Sequence, residues 1–329
     1  MSLRRVFAIS MILCMVLAVA VGSPTTANAA KYPSKTIRLI VPFAAGGSTD
    51  LMARVLVQPM SKLLGGAEIV VENRGGGGGA MAMMEMLRSA PDGHTLILAS
   101  CNSAVITPIL SDVGYSNADI APVAQVTELP TNLFVKADSK VRTVADLMKL
   151  AEANHGKMTY STSGAGTIHH IVAELLQREA KKPGLLTHIP YNSGTESITA
   201  VLGGHNEVAF ANASYGENYV KQQGTMRAIA TSAAGGDVNL PDVPTLKSLG
   251  YDITLTSWFG IAARTGTPQE ILDLLSETIK NALKDPELIK SFPNLGMTVD
   301  YIGRADFTSQ YQSQYKQLKG VLGELFPKK

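Results

Sequence analysis

The stretch that most constrains this chain is a glycine turn between an apolar run and an amphipathic run. Residues 37–43 form a short apolar run typical of a buried strand, and residues 48–64 carry apolar side chains on one broad helical face. Gly46 and Gly47 between them permit the sharp turn that this connection requires. The first N–H groups of the helix would point outward without partners, at the positive end of its dipole. The unit therefore predicts an anion site built from backbone.

A second unit of the same kind follows a strand predicted at 158–161. Its loop reads SGAGT over residues 163–167, and a helix is predicted from about residue 167 to residue 180. Two such loops facing each other could hold one small carboxylate between them. The alternative is that the glycines serve tight turns and packing, and that Thr167 is a plain helix N-cap. The candidate ligand contacts on the two loops are Phe43, Gly46, Gly47, Ser48, Thr49, Ser163, Gly164, Ala165, Gly166 and Thr167.

Five further side chains are candidate ligand contacts, and for each of them a purely structural role is the alternative. Asp50 lies in the first helical turn, where capping is favoured over ligand contact because its carboxylate would repel an anion. Asn102, Tyr191 and Asn212 each follow a predicted strand, where they could border a cleft or pack in the core. Trp258 could face a solute or fill a hinge.

A histidine pair raises the question of a metal site. His169, His170 and Glu174 lie on one predicted helix, with His170 and Glu174 four residues apart on the same face. A third ligand and the zincin spacing are both missing, so we expect no metal and no other cofactor. A local hydrogen bond between His170 and Glu174 is the preferred interpretation, and His170 stays among the candidate ligand contacts.

The N-terminus has the three parts of a secretory signal peptide. Arg4 and Arg5 precede an apolar stretch over 6–21, and residues 27–29 form an A-x-A cleavage site. We expect cleavage after Ala29 and localisation in the periplasm. Removing 29 residues from the 329-residue chain leaves 300, with 27 basic and 27 acidic side chains. This balance argues against nucleic acid or an anionic membrane surface as a partner.

Cysteine usage excludes an internal disulfide in the exported chain, because only Cys101 would remain after cleavage. An exported protein of this kind depends on its apolar cores for stability. Cys101 ends an apolar strand, so we expect a buried structural thiol and no nucleophile.

Short apolar runs alternate with helical patterns along the chain, which is typical of a parallel α/β sheet with helices on both faces. Apolar runs at 123–126 and 133–135 mark a crossing into a second domain, and the run at 254–263 marks the return. We therefore predict a discontinuous first lobe over 30–127 and 252–329, and an inserted second lobe over 128–251. Two α/β lobes joined by two connections form a ligand cleft at the ends of their strands.

Seven motifs in order carry a family resemblance. They are PFAAGGSTD at 42–50, VENR at 71–74, PDGHTL at 91–96, SGAGT at 163–167, PY at 190–191, PDVPT at 241–245, and WFG at 258–260 before GTP at 266–268. Together they resemble the Bug, or tripartite tricarboxylate transporter, solute receptors over essentially the whole exported chain. The resemblance implies a two-lobed type II periplasmic binding protein fold. It also implies a monomer that delivers a small carboxylated solute to large and small integral-membrane permease subunits.

Catalysis is not expected. The chain has no Gly-x-Ser-x-Gly nucleophile elbow and no Gly-x-Gly-x-x-Gly dinucleotide loop after its first strand. Ser161 or Ser163 with His170 would be a triad fragment without an evident third member. Two alternatives to a transport receptor stay open: a solute-sensing receptor for a membrane kinase, and an exported serine hydrolase. The sequence does not identify the carboxylate, because recognition by backbone leaves little side-chain signature.

Overall fold

A computed structural model describes residues 32–43, 45–46, 48–295 and 297–326. The described residues from Lys35 onward belong to one compact unit. The predicted signal peptide over 1–29 lies outside the described residues, and so does Gly47. Within the described ranges, no helix combines the length and the apolar character needed to cross a bilayer.

Nine strands and ten α-helices are assigned within the described part of the chain. The strands are β1 (Ile37–Val41), β2 (Ile69–Asn73), β3 (Thr95–Ser100), β4 (Ile120–Lys136), β5 (Thr159–Thr162), β6 (Thr187–Pro190), β7 (Val208–Asn212), β8 (Met226–Thr231) and β9 (Thr256–Arg264). The helices are α1 (Ser48–Leu63), α2 (Ala80–Arg88), α3 (Thr107–Leu110), α4 (Val144–Ala153), α5 (Ile168–Glu179), α6 (Gly194–Leu202), α7 (Ala213–Lys221), α8 (Gln269–Ala282), α9 (Pro286–Asn294) and α10 (Arg304–Leu325).

The strands form two sheet regions with the order β2-β1-β3-β9-β4 and β4-β7-β5-β6, and β8 also pairs with β4. Strands β1, β2 and β3 are parallel to one another, as are β5, β6 and β7. Both β4 and β9 run antiparallel to their neighbours. The predicted α/β class is confirmed, but the prediction of a wholly parallel sheet was wrong, because the two crossing strands make both sheet regions mixed.

Strand β4 belongs to both sheet regions. Residues Ile120 to Pro130 pair with β9, whereas Thr131 to Lys136 pair with β7 and β8. The apolar runs predicted at 123–126 and 133–135 are thus one strand of 17 residues that continues through Pro130. The lobe boundaries at 128 and 252 stay a prediction.

Three local features of the fold differ from what the residue pattern alone favours. A proline inside a helix favours a kink or a split, but α1 is one helix from Ser48 to Leu63 with Pro59 inside it. The segment at 245–249 forms a bridge and turns, although its pattern favours a short helix. Helix α7 was not predicted, because Gly216 and Asn218 weaken its helical pattern. Gly216 has a packing role: a Cβ there would lie 2.5 Å from the Phe134 ring, so only glycine lets α7 lie this close to β4.

A buried carboxamide joins the C-terminal helix to the first sheet region. Gln314 of α10 accepts a hydrogen bond from the Trp258 indole N–H at 2.5 Å and donates one to the Thr256 carbonyl at 3.2 Å. The Cys101 thiol lies 3.5 Å from the same Gln314 oxygen. Cys101 is fully buried, as predicted, and burial raises the pKa of its thiol.

Replacing Gln314 with leucine should lower the free energy of unfolding by about 2–4 kcal/mol, because two buried polar groups would lose their partner. Urea unfolding followed by circular dichroism measures the change. The matched control is Gln317→Leu on the exposed face of the same helix, which we expect to stay within about 0.5 kcal/mol of wild type. Equal losses in the two variants would contradict the role given to Gln314.

Candidate functional site

The strand ends of both sheet regions meet where β4 changes partners. In the first region, β3 runs parallel to the early part of β4, because both pair antiparallel with β9. In the second, β7 ends at Asn212, which lies opposite Thr131 of β4. The loops after β3 and β7 therefore emerge on the two sides of this crossing. Ligands of open α/β sheets bind outside the carboxyl ends of the strands, so this junction is the candidate site.

The first predicted loop is held by Asp50. Its buried carboxylate accepts the Gly46 N–H at 2.9 Å and pairs with Arg54 at 3.0 Å. The Asn73 side chain donates to both Asp50, at 3.0 Å, and the Phe43 carbonyl, at 3.1 Å. The Arg54 hydrogen bond, followed by those from Gly46 and Asn73, lowers the pKa of Asp50 against the effect of burial. Asp50 is thus an ionised, internally paired group that shapes the loop.

The described residues show only part of this loop. Gly46 has a φ of 84°, in the left-handed region that glycine tolerates, and open space where a Cβ would lie. Thr49 is buried at the start of α1. Gly47 and the Ser48 side chain lie outside what the structure describes. All of these positions stay candidate ligand contacts.

A run of five glycines over residues 75–79, after β2, brings its backbone close to the candidate site. A Cβ on Gly79 would lie 2.6 Å from the Ser103 Cβ and 3.3 Å from that of Pro42. A Cβ on Gly78 would lie 2.8 Å from the Thr107 hydroxyl, which donates to the Gly78 carbonyl at 3.2 Å. These contacts tie the run to the segments after β1 and β3.

The second predicted loop leaves the start of α5 without a side-chain cap. Thr167 occupies the N-cap position, but its hydroxyl donates to the Gly164 carbonyl at 2.8 Å and makes no capping bond. The N–H groups of the first turn of α5 are therefore offered to an external acceptor. Gly164 and Gly166 have positive φ values, of 134° and 71°, and Ala165 between them is exposed. A Cβ on Gly166 would lie 3.2 Å from Leu110 of α3, so the loop after β5 packs closely against the segment after β3.

His170 is turned into the protein. Its Nδ1 accepts the Gly166 N–H at 3.0 Å, and its ring stacks on His188 with centroids 3.8 Å apart. The predicted hydrogen bond to Glu174 was wrong: the closest atoms are 3.8 Å apart, and Glu174 accepts from the Tyr160 hydroxyl at 2.5 Å instead. His170 contacts the loop backbone, so it supports the loop whether or not it reaches a ligand.

The structure adds a residue that the sequence reasoning did not select, His169. Its Nδ1 lies 2.8 Å from the Ser163 hydroxyl oxygen, and its Nε2 lies 2.9 Å from the Asn212 carboxamide oxygen. His169 and Asn212 are both buried. Burial lowers the pKa of His169. The chain Ser163–His169–Asn212 thus links the loop after β5, the first turn of α5 and the end of β7. The only sequence signal was a histidine next to His170 in that first turn.

The remaining candidates differ in their surroundings. Trp258 is 1% exposed and packs edge-on against Phe307, which corresponds to the hinge-filling alternative. The Tyr191 hydroxyl accepts from Asn206 at 2.9 Å. Asn102 follows β3, and its buried carboxamide oxygen has no hydrogen-bond partner among the described residues. Of these three residues, Asn102 is the one with a buried acceptor that has no partner in the described part of the chain.

The chain resembles known proteins over most of its length. Residues 52–325 match the family described as tripartite tricarboxylate transporter family receptor. Protein BugT of Bordetella pertussis is 30% identical over 282 residues, which cover 84% of this chain and 85% of BugT. A TctC solute binding protein from Polaromonas, solved without ligand, superposes with a TM-score of 0.81 at 25% identity, covering 89% of this chain and 99% of that one. MatC from Rhodopseudomonas palustris, solved with bound malate, has a TM-score of 0.71 at 26% identity, covering 88% of this chain and 100% of MatC.

Burial around the second loop predicts a pH dependence of stability. Burial lowers the pKa of His188 to about 4, and burial together with the neighbouring His188 lowers that of His170 to about 4, against an ordinary value of 6.5. The unfolded chain therefore takes up protons between pH 6.5 and 4 that the folded chain excludes. The stabilisation is complete above about pH 6.5 and is lost as the pH falls towards 4.

In His188→Phe, the free energy of unfolding should fall less steeply over that pH range than in wild type, by up to about 1.4 kcal/mol per pH unit. Urea titrations at a series of pH values measure the two slopes. Thr187→Val on the same strand removes no titrating group and serves as the control. A wild-type slope in His188→Phe would show that His188 does not carry the effect.

Proposed function

Because this chain belongs to the tripartite tricarboxylate transporter receptor family, a family of periplasmic solute-binding proteins, we propose that it captures a small carboxylate for a membrane permease. The ligand would lie at the β4 crossing, between the loop after β1 and the loop after β5. The permease would have the large and small integral-membrane subunits that the transporter type implies, and the receptor would act as a monomer. Residues 1–29 would direct export and be removed.

The observation that carries this proposal is the uncapped start of α5. The Thr167 hydroxyl is bonded to Gly164, so the first-turn amides and the positive end of the helix dipole are left for an anion. On the other side, pairing of Asp50 with Arg54 and Asn73 offsets the charge of an acidic group in the first loop that would otherwise repel a carboxylate. Malate bound to MatC, a relative at 26% identity, is consistent with a small carboxylate as ligand.

Capture would proceed by closure of the two lobes around the β4 crossing. A ligand held by one lobe alone would not shift the equilibrium between open and closed forms, so closure requires contacts from both loops. The proposed hinge is the segment of β4 where the pairing passes from β9 to β7, together with the start of β9 at Thr256. The proposed lobes are 30–127 with 252–329, and 128–251.

Two other functions follow from the same fold. A receptor that signals to a membrane kinase would use the same ligand site, and the structure carries no feature that separates sensing from transport. A hydrolase is favoured by one observation, the hydrogen-bonded series Ser163–His169–Asn212, in which His169 replaces the His170 considered from the sequence and Asn212 is the third member. Asn212 is neutral, however, and gives an imidazolium less support than a carboxylate would, and burial disfavours the charged form of His169. We therefore place binding before catalysis.

A thermal-shift screen against a carboxylate panel tests the receptor proposal. A ligand present at 100 times its Kd should stabilise the protein by roughly 2.7 kcal/mol, because it binds only the folded form. Gly46→Val should abolish this shift by filling the space above the first loop.

Gly65→Val is the matched control for Gly46→Val. Both glycines have positive φ, 84° and 70°, and no atom within 4 Å of a built Cβ, but Gly65 lies just beyond the opposite end of α1. The two variants should lose similar backbone stability, and only Gly46→Val should lose the ligand shift. A full shift in a folded Gly46→Val protein would remove the first loop from the site.

Hydrolysis of p-nitrophenyl esters tests the second function. We expect wild type to hydrolyse these esters no faster than Ser163→Ala. A burst of p-nitrophenol in wild type that Ser163→Ala abolishes would establish an acyl-enzyme and reverse the order of the two proposals.

A further inference from the structure

The chemistry of the three groups in the hydrogen-bonded chain Ser163–His169–Asn212 determines which atom donates in each bond. The Asn212 carboxamide oxygen can only accept, so the His169 Nε2, 2.9 Å away, carries the proton and donates it. A neutral imidazole has a single N–H, so its Nδ1 must accept. The Ser163 hydroxyl, 2.8 Å from Nδ1, is therefore the donor of that bond.

Two independent features keep His169 neutral. Its side chain is 6% exposed, and burial disfavours the charged form. It also lies in the first turn of α5, where the positive end of the helix dipole opposes a second proton. A protonated His169 would donate from both nitrogens and reverse the Ser163 bond. The neutral state of His169 therefore sets which atoms donate and which accept in these two hydrogen bonds.

The consequence for Ser163 is that its only hydroxyl proton is committed to His169. The half-buried Ser163 then presents lone pairs alone to anything that approaches it. The first-turn amides of α5, a few residues along the chain, present donors. A ligand carboxylate has no proton to give Ser163 and is suited to the amides, so the group that meets Ser163 must carry its own O–H or N–H.

Asn102 supplies an acceptor from the first sheet region. Its carboxamide oxygen is buried and has no partner among the described residues, and it follows the carboxyl end of β3, which faces the same crossing. An unsatisfied buried acceptor of this kind is costly unless a ligand or a water donates to it. Each side of the junction therefore offers a side-chain acceptor, Ser163 on one side and Asn102 on the other.

We infer that the ligand is a carboxylate that also bears a hydroxyl or amino group, and that His169 and Asn212 set this preference by orienting the Ser163 hydroxyl. This inference rests on the receptor function proposed above and narrows its ligand class. Ser163 would contact the donor group, while His169 and Asn212 act through Ser163 as positioning residues.

Isothermal titration calorimetry with matched acids tests the inference. The probes are lactate against propionate, malate against succinate, and mandelate against phenylacetate, which differ by one hydroxyl. In every pair with a measurable binder, the hydroxylated acid should bind about three- to tenfold tighter, the range expected for one neutral hydrogen bond. Equal affinities, or tighter binding of the plain acid, would overturn the inference and leave the receptor function standing. Failure of all six acids to bind would overturn the receptor function and this inference with it.

Variants distinguish a role in orienting the Ser163 hydroxyl from a role in packing alone. His169→Leu frees the Ser163 proton, so the ratio of the two affinities should fall to one or below, and Ser163→Ala should also bring it to one. Asn212→Leu removes the acceptor of the Nε2 proton, so the imidazole can carry its proton on Nδ1 and donate it to Ser163, and the ratio should fall in this variant as well. His205→Leu, at an exposed histidine, is the control and should retain the wild-type ratio. A wild-type ratio in folded His169→Leu or Ser163→Ala would overturn the inference.

Discussion

The candidate site depends on one strand that pairs in two places. Strand β4 pairs with β9 up to Pro130 and with β7 and β8 from Thr131 onward. The partners of β4 thus change over a single peptide bond. This change brings the carboxyl ends of two groups of parallel strands, β1 to β3 and β5 to β7, to one junction. Every loop with a polar atom to offer a ligand reaches the junction because its strand is paired, directly or through β9 or β7, with β4. A break in β4 would therefore separate the two halves of the site as well as the two sheet regions.

Local sequence pattern was sufficient to predict much of this arrangement. The strand–glycine–helix units at β1 and β5 could be predicted because a short apolar run, a glycine turn and an amphipathic period are all local signals. The Thr-x-x-Asp spacing at residues 143–146 is also a local signal, and Thr143 and Asp146 form a capping box at the start of α4. The direction of β4 and β9 was not predictable in this way, because pairing between distant segments leaves no mark on either segment alone.

The site shows the same division between local and non-local information. The sequence indicated which loops carry backbone donors, but it could not show that Thr167 bonds to Gly164, or that Asp50 is paired with both Arg54 and Asn73. His170 was selected because its spacing to Glu174 is conspicuous, whereas His169 became visible only through contacts with residues 6 and 43 positions away. Side-chain networks between loops are therefore the part of a site that sequence reasoning is least able to reach.

The carboxamide of Gln314 has a practical consequence for following this molecule in solution. It bonds the only tryptophan of the chain, Trp258, and contacts the Cys101 thiol through the same oxygen, next to the start of β9. An intrinsic fluorophore and a buried thiol thus share one partner beside the connection between the sheet regions, and the thiol becomes reactive only when this region opens. Tryptophan emission and thiol labelling would report on the opening of this region independently of each other, without any engineered probe.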